Sequence, residues 1–201
     1  MERKEAIIKL NELIGMELHD LANKYNVTIY RNGKVNKGWA GHVFERHLEL
    51  PINSAQSPNF GSWELKSIPL KKLKNGQWTV KETMAITMID PINIMQKEFE
   101  DSHLLSKLKK AVIVVRTVGE SFEDPSYIHS IVQYNLEGEA YQIIKNDYNI
   151  VRDTLLNNID GFNMLTGRMG KYVQPRTKGS GHGSTSRAFY ARASFLKQII
   201  L

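Results

Sequence analysis

Residues 57–70 read "SPNFGSWELKSIPL", and the fold turns on whether "WELKSIPL" is a strand. Strand geometry sends successive side chains to opposite faces, so Glu64 and Lys66 share one face while Trp63 and Leu65 take the other, apolar one. An acid and an amine placed this way suit hydrolysis of a phosphodiester. The acid holds a divalent cation through oxygen, the cation stabilises charge on the phosphate and lowers the pKa of a water, and the lysine orients that water or stabilises the pentavalent transition state. Glu-x-Lys alone is a weak signal, because exposed Glu and Lys alternate on many strands.

The flanks add weight. Upstream, "GWAGHVFERHLEL" predicts a helix with Trp39, Val43 and Leu48 on one side, ended by Pro51, and it carries Glu45. A polar loop over 52–62 follows, with Pro58-Asn59. Downstream, "KKLKNGQWTVKE" holds a turn at Asn75-Gly76 and leads to a second strand, "TMAITMID". The expected arrangement is an antiparallel hairpin or meander. "AVIVVRTV" and "IHSIVQYNL" predict further strands, with the short helical lead "HLLSKLKK" before the first. Residues 138–157 predict a helix whose face is Ile144, Tyr148, Val151 and Leu155. "KYVQPR" and "RAFYAR" predict short strands around the loop "TKGSGHGSTS", and "SFLKQIIL" a closing helix. At the other end, Ile7, Leu10, Ile14, Leu18 and Leu21 predict one amphipathic helix over 4–24. "NVTIYRNGKVNKG" then turns at Asn32-Gly33. Helices at both ends of a mixed sheet make the class α/β or α+β.

The 201 residues fit one domain. No apolar run approaches the ~20 residues a membrane span needs, and the mixed-charge "MERKEAIIKL" does not read as a signal peptide. The absence of cysteine excludes disulfides, thiolate zinc sites and a cysteine nucleophile, and agrees with a cytoplasmic location. The net charge of +6 is segregated. Residues 161–201 contain no Asp or Glu but hold Arg168, Lys171, Arg176, Lys178, Arg187, Arg192 and Lys197. The remaining 160 residues carry 20 basic and 21 acidic side chains. Such segregation, with Tyr172, Phe189 and Tyr190 interleaved, predicts a surface for a polyanion. Arg176 can read guanine and Gln174 adenine through paired hydrogen bonds, and Lys178, Arg187 and Arg192 are candidate phosphate contacts. The glycine-rich "GSGHGSTSR" lacks the Gly-Lys-Ser/Thr of a P-loop, and its His182 reads as an exposed loop histidine or a DNA contact. His42, His47 and His103 form no metal-ligand pattern.

Taken in order, Gly-Trp-x-Gly-x-x-x-Glu (38–45), Pro-Asn-Phe (58–60) and Glu-Leu-Lys-Ser-Ile-Pro (64–69) resemble the MutH-like family. That family joins a mismatch-repair nicking endonuclease to type II restriction enzymes cutting at GATC. The resemblance continues through "HLLSKLKKAVIVV", "GKYVQPRTKG" and "RAFYARASF". It implies a restriction-endonuclease-like PD-(D/E)xK fold: a mixed sheet flanked by helices, with a C-terminal DNA-reading subdomain. The implied division is a helical arm over 1–37, a catalytic core over 38–160 and a basic recognition region over 161–201. It further implies Glu64 as metal-ligand acid, Lys66 as catalytic lysine, Glu45 as a helical acid near the metal and Lys107 as a further active-site lysine. Tyr190 matches a tyrosine implicated in sensing adenine methylation. The implied cofactor is Mg²⁺, with Mn²⁺ as substitute and Ca²⁺ binding without supporting cleavage. The implied partner is double-stranded DNA, met by a monomer or a homodimer.

Two departures stand out. Where the mismatch-repair member has Arg-Pro-Lys, this chain has Gln174-Pro175-Arg176. Where the family has aspartate after proline, this chain has Asn59. An amide oxygen there is a neutral metal donor, which implies impaired cleavage; the alternative is a DNA-binding module of the same fold that no longer cuts.

Overall fold

The computed structural model describes residues 1–49, 62–179 and 186–201. Asn59 and His182 lie outside the described residues, as does the polar loop after Pro51.

A mixed four-stranded sheet forms the centre. Strand β3 (Glu64–Lys72) runs parallel to β6 (Lys110–Val118), which pairs antiparallel with β7 (Ile128–Asn135). The short β4 (Trp78–Val80) folds back on β3 through the Asn75-Gly76 turn, giving the order β4-β3-β6-β7. Both faces of this sheet are covered, which is why "AVIVV" is apolar without alternation. On one face, Leu65, Val112 and Val114 pack with Trp63 under α1 (Arg3–Asn11), α2 (Leu18–Lys24) and α3 (Trp39–His47). On the other, Ile68, Leu70, Ile113 and Val115 meet Ile144, Tyr148 and Val151 of the 20-residue helix α6 (Gly138–Asn157).

A second, antiparallel sheet has the order β5-β9-β8, from β5 (Met84–Met88), β8 (Val173–Thr177) and β9 (Arg187–Ala191). The expected meander is therefore corrected. "TMAITMID" leaves the first sheet after β4 and pairs with β9, since Ile86 and Ile89 of this segment are buried against Phe189 and Ala191. Helix α4 (Pro91–Gln96), a 3-10 turn (Phe99–Asp101), α5 (His103–Leu108), α7 (Gly161–Met164) and α8 (Ala193–Ile200) complete the chain. Asp90 caps α4 by accepting from Ile92 and Asn93 N–H, and Ser102 caps α5 through Leu105 N–H.

The single helix expected over 4–24 is two. Gly15 adopts φ +83°, a left-handed conformation that only glycine takes at little cost. Its N–H donates to Ile128 carbonyl at 2.8 Å, and Leu18 N–H donates to Ser126 carbonyl at 2.7 Å. The 15–18 segment thus borrows the end of β7 in place of a helical turn. Leu13 is buried there and Ile14 is exposed. Asn32-Gly33 does form a tight turn, between β1 (Tyr30–Arg31) and β2 (Lys34–Val35). Among the described residues, no helix is long and apolar enough to cross a membrane.

Candidate active site

β4 pairs only with Leu70–Lys72, so the first half of β3 forms an edge. Along that edge lies a cleft of about 640 Å³ lined by Glu45, Lys66, Arg116, Arg176 and Tyr190, among others. The period-two reading of "WELK" holds: Leu65 is buried among the N-terminal helices, and Lys66 Nζ stands 2.7 Å from Glu64 Oε1 on the opposite face.

Lys107 reaches the same carboxylate from a different element. Helix α5 runs directly into β6, whose Ala111 is in register with Glu64. Lys107, one turn before Ala111, therefore arrives beside Glu64 and donates to both of its oxygens at 3.2 and 3.3 Å. Glu64 is 1% exposed and Lys107 6%. Burial holds the Lys107 ammonium below the ordinary lysine range; Glu64 opposes this, and the charges of Lys66 and Lys178 add to it. Lys178, just beyond β8, is thereby brought electrostatically to the same centre.

Glu45 comes from the buried face of α3. Desolvation raises its pKa first, the neighbouring Glu64 carboxylate raises it further, and Lys66 partly offsets both. Two carboxylates from a helix and a strand edge offer hard oxygen donors, the donor type a divalent cation prefers. Mutual repulsion between them is what such a cation would relieve. Among the described residues no cluster of three or more His, Asp or Glu forms a metal site; a third donor would have to come from elsewhere, and Asn59 falls outside the described residues.

The raised pKa of Glu45 has a signed consequence. A carboxyl raised in the folded state contributes stability below its unfolded value, and that contribution is lost as pH rises through the folded value. At neutral pH in the absence of metal, Glu45 is therefore a destabilising group. Glu45→Gln is expected to raise the melting temperature of metal-free protein at pH 7, to flatten its acid-range pH dependence, and to lower cleavage roughly 10–100-fold. A lower melting temperature at pH 7 would show that Glu45 is well compensated and the electrostatic account wrong.

The opposite wall belongs to the second sheet. Arg176 Nη1 donates to Thr83 Oγ1 at 2.8 Å, and its guanidinium lies 5.5 Å from the Tyr190 ring centroid. Gln174 shares the Arg176 face of β8 but is buried, opposite Tyr190 in register. Arg187 lies over the Phe162 ring, with Nη1 3.4 Å from Thr177 Oγ1. Arg192 is turned inward: Nε donates to Gly170 carbonyl and Nη2 to those of Gly167 and Met169. Those bonds brace the segment leading into β8 and engage three of the five guanidinium N–H donors.

That segment has a second brace. Asp147 of α6, 3% exposed, accepts from the N–H groups of Lys171, Tyr172 and Val173 at 2.6, 2.7 and 2.8 Å. Gly170, at φ +75°, makes the turn; a Cβ there would stand 1.9 Å from Val173 carbonyl oxygen. Sequence reading missed Asp147, and it missed Arg116 and Lys37 in the cleft. The signal for Arg116 was a cation directly after the apolar run 111–115 within one strand.

A family model described as DNA mismatch repair enzyme MutH matches residues 48–147, about half of the chain. The DNA mismatch repair protein MutH of Vibrio campbellii is 27% identical over 216 residues, covering 98% of this chain and 92% of that protein. MutH of Haemophilus ducreyi is 26% identical, with coverage of 98% and 92%. Type II restriction enzyme Sau3AI of Staphylococcus aureus is 26% identical over 83% of this chain, which spans 37% of that enzyme. The solved complex of restriction endonuclease MvaI with cognate DNA substrate overlaps at TM-score 0.40 and 13% identity, covering 99% of this chain and 97% of that one; an overlap at that level carries no argument. The mixed sheet flanked by helices is the restriction-endonuclease-like arrangement that the motifs implied. By its ordered motifs, the matching family model and relatives aligned over nearly the whole chain, this protein belongs to the MutH-like family.

Proposed function

We propose that this chain is a sequence-specific, metal-dependent endonuclease acting on double-stranded DNA at GATC or a related site. The observation that carries the reading is the buried Glu64 carboxylate held between Lys66 and Lys107, with Glu45 beside it, along a cleft whose far wall presents Arg176 and Tyr190. Acid and amines stand on one side of the cleft and a base-reading cation on the other, so a duplex lying between them meets chemistry and recognition at once.

Within this reading the residues divide the work. Glu64 and Glu45 would hold a divalent cation, Mg²⁺ or Mn²⁺, which supplies charge stabilisation at the phosphate when bound. Lys66 stabilises charge on the phosphoryl oxygens in the transition state. Lys107 fixes the Glu64 carboxylate. Arg176 reads a base edge, with Tyr190 under its guanidinium restricting how it points. Lys178 and Arg187 contact phosphates.

The second reading, a DNA-binding module that does not cut, is favoured by Asn59 alone. A neutral amide supplies no charge to hold a hard cation against water. The test is a cleavage time course on adenine-methylated and unmethylated plasmid in Mg²⁺, with the Asn59→Asp form alongside. Faster cutting by the Asp form is expected, on the order of 10-fold or more as for loss of a metal-site partner. Equal rates would remove position 59 from the metal site; no cutting by either form would leave the binding module.

A further inference from the structure

The lysine-rich hairpin β3–β4 is unused by the site above. From Leu65 to Lys81 the chain has five lysines and no Asp or Glu. Lys71, Lys72, Lys74 and Lys81 are exposed, and none of them forms an ion pair among the described residues. The hairpin that presents them is braced. Leu73 N–H donates to Gln77 carbonyl, Gly76 N–H to Leu73 carbonyl and Gln77 N–H to Asn75 Oδ1. Lys72 lies opposite Trp78 in register, its ammonium 6.0 Å from that ring's centroid, while Trp78 packs on the core. Like charges fixed together in this way repel one another unless an anion lies across them.

Three hollows connect this hairpin to the active site. The main cleft shares Lys37 and Arg116 with a neighbouring pocket of about 290 Å³. That pocket shares Lys81 with a groove of about 540 Å³ lined by Lys71, Lys72 and Lys74. The acids along the way are few. Asp124 is engaged by Ser121 N–H, and Glu82 lies beside Arg116, whose charge it favours. Glu120 is the acid of the last groove, against four lysines.

We infer that this track, leading away from the active-site cleft through Lys37, Arg116 and Lys81 to Lys71, Lys72 and Lys74, seats the phosphate backbone of duplex flanking the recognition site, independently of its sequence. This rests on the endonuclease reading above. Spacing sets the reach. Six residues of strand separate Lys66 from Lys72, or ~20 Å, which matches about 6 bp of duplex at 3.4 Å per base pair. DNA that ends nearer the scissile phosphate cannot touch the hairpin.

The test compares wild type with Lys71→Gln/Lys72→Gln/Lys74→Gln. Binding is measured without divalent metal to two duplexes centred on the same GATC site, one of about 10 bp and one of about 30 bp, chosen to fall short of and to pass that reach. On the long duplex the variant is expected to bind at least ~10-fold more weakly, with a log–log salt slope shallower by about 2–3. On the short duplex the two proteins should match. A variant indistinguishable from wild type on the long duplex overturns the track while leaving the endonuclease reading intact, as does an equal loss on both duplexes. Failure of wild type to bind either duplex overturns the endonuclease reading, and the track with it. A matching thermal melt of the two proteins excludes misfolding as the source of any difference.

Discussion

Replacing Lys66 with alanine is expected to lower the rate of DNA cleavage by roughly 10²–10³-fold, the scale seen when a preorganised charge is removed from a transition state. DNA affinity should change by no more than a few-fold. Lys66 lies along the cleft 2.7 Å from Glu64, where in the proposed reaction it would meet the additional charge that develops around the phosphoryl group as the bond breaks. Losing that stabilisation lowers turnover and leaves ground-state binding alone. The fold should tolerate the change, because Lys107 still pairs both Glu64 oxygens and no buried carboxylate is left uncompensated. Single-turnover cleavage on a saturating duplex separates the two effects. A rate within a few-fold of wild type would place the catalytic amine elsewhere, with Lys107 the next candidate.

The largest effect on stability is expected at Asp147, far from the chemistry. Its carboxylate takes three consecutive backbone N–H groups. Hydrogen bonds to a charged acceptor are worth ~1.5–3 kcal/mol each, and a buried donor left unsatisfied costs ~1–3 kcal/mol. In Asp147→Asn the charge is gone and the amide NH₂ faces donors. Contributions of neighbouring bonds do not add fully, so a loss of about 3–5 kcal/mol is expected, a large share of a typical domain's ~5–15 kcal/mol. Denaturant titration should show a lower midpoint at an unchanged slope. A loss below about 1 kcal/mol would mean that the Arg192 bonds alone hold the segment.

How much of this was legible in the sequence depended on how local each cause is. Period two in "WELKSIPL" sufficed to put Glu64 and Lys66 on one face, because burying Trp63 and Leu65 on the other leaves the strand no freedom of register. The face of α6 was legible for the same kind of reason: Ile144, Tyr148, Val151 and Leu155 are all buried. The break at Gly15 was not, since the apolar spacing runs through it and the competing partner is a strand more than a hundred residues away. The departure of β5 to a second sheet was hidden because its partner β9 comes at the end of the chain. Lys107 was found only through family resemblance; one lysine in "HLLSKLKK" looks like another until α5 is docked to β6. Asp147 looks like any polar residue on a helix, and its role exists only once β8 has folded against it.

The paired braces at the entrance to β8 bear on how such proteins change over generations. Asp147 and Arg192 hold the backbone of residues 167–173 through carbonyls and N–H groups, and none of those bonds depends on the side chains at 174 or 176. Substitutions at these two positions therefore inherit a backbone already in place. Glu64 and Lys66, on β3 of the other sheet, and Lys107, on α5, lie outside that segment. With positions 174 and 176 reading the DNA as proposed, a lineage built this way can drift in the sequence it reads without passing through ancestors that have lost either their fold or their proposed chemistry.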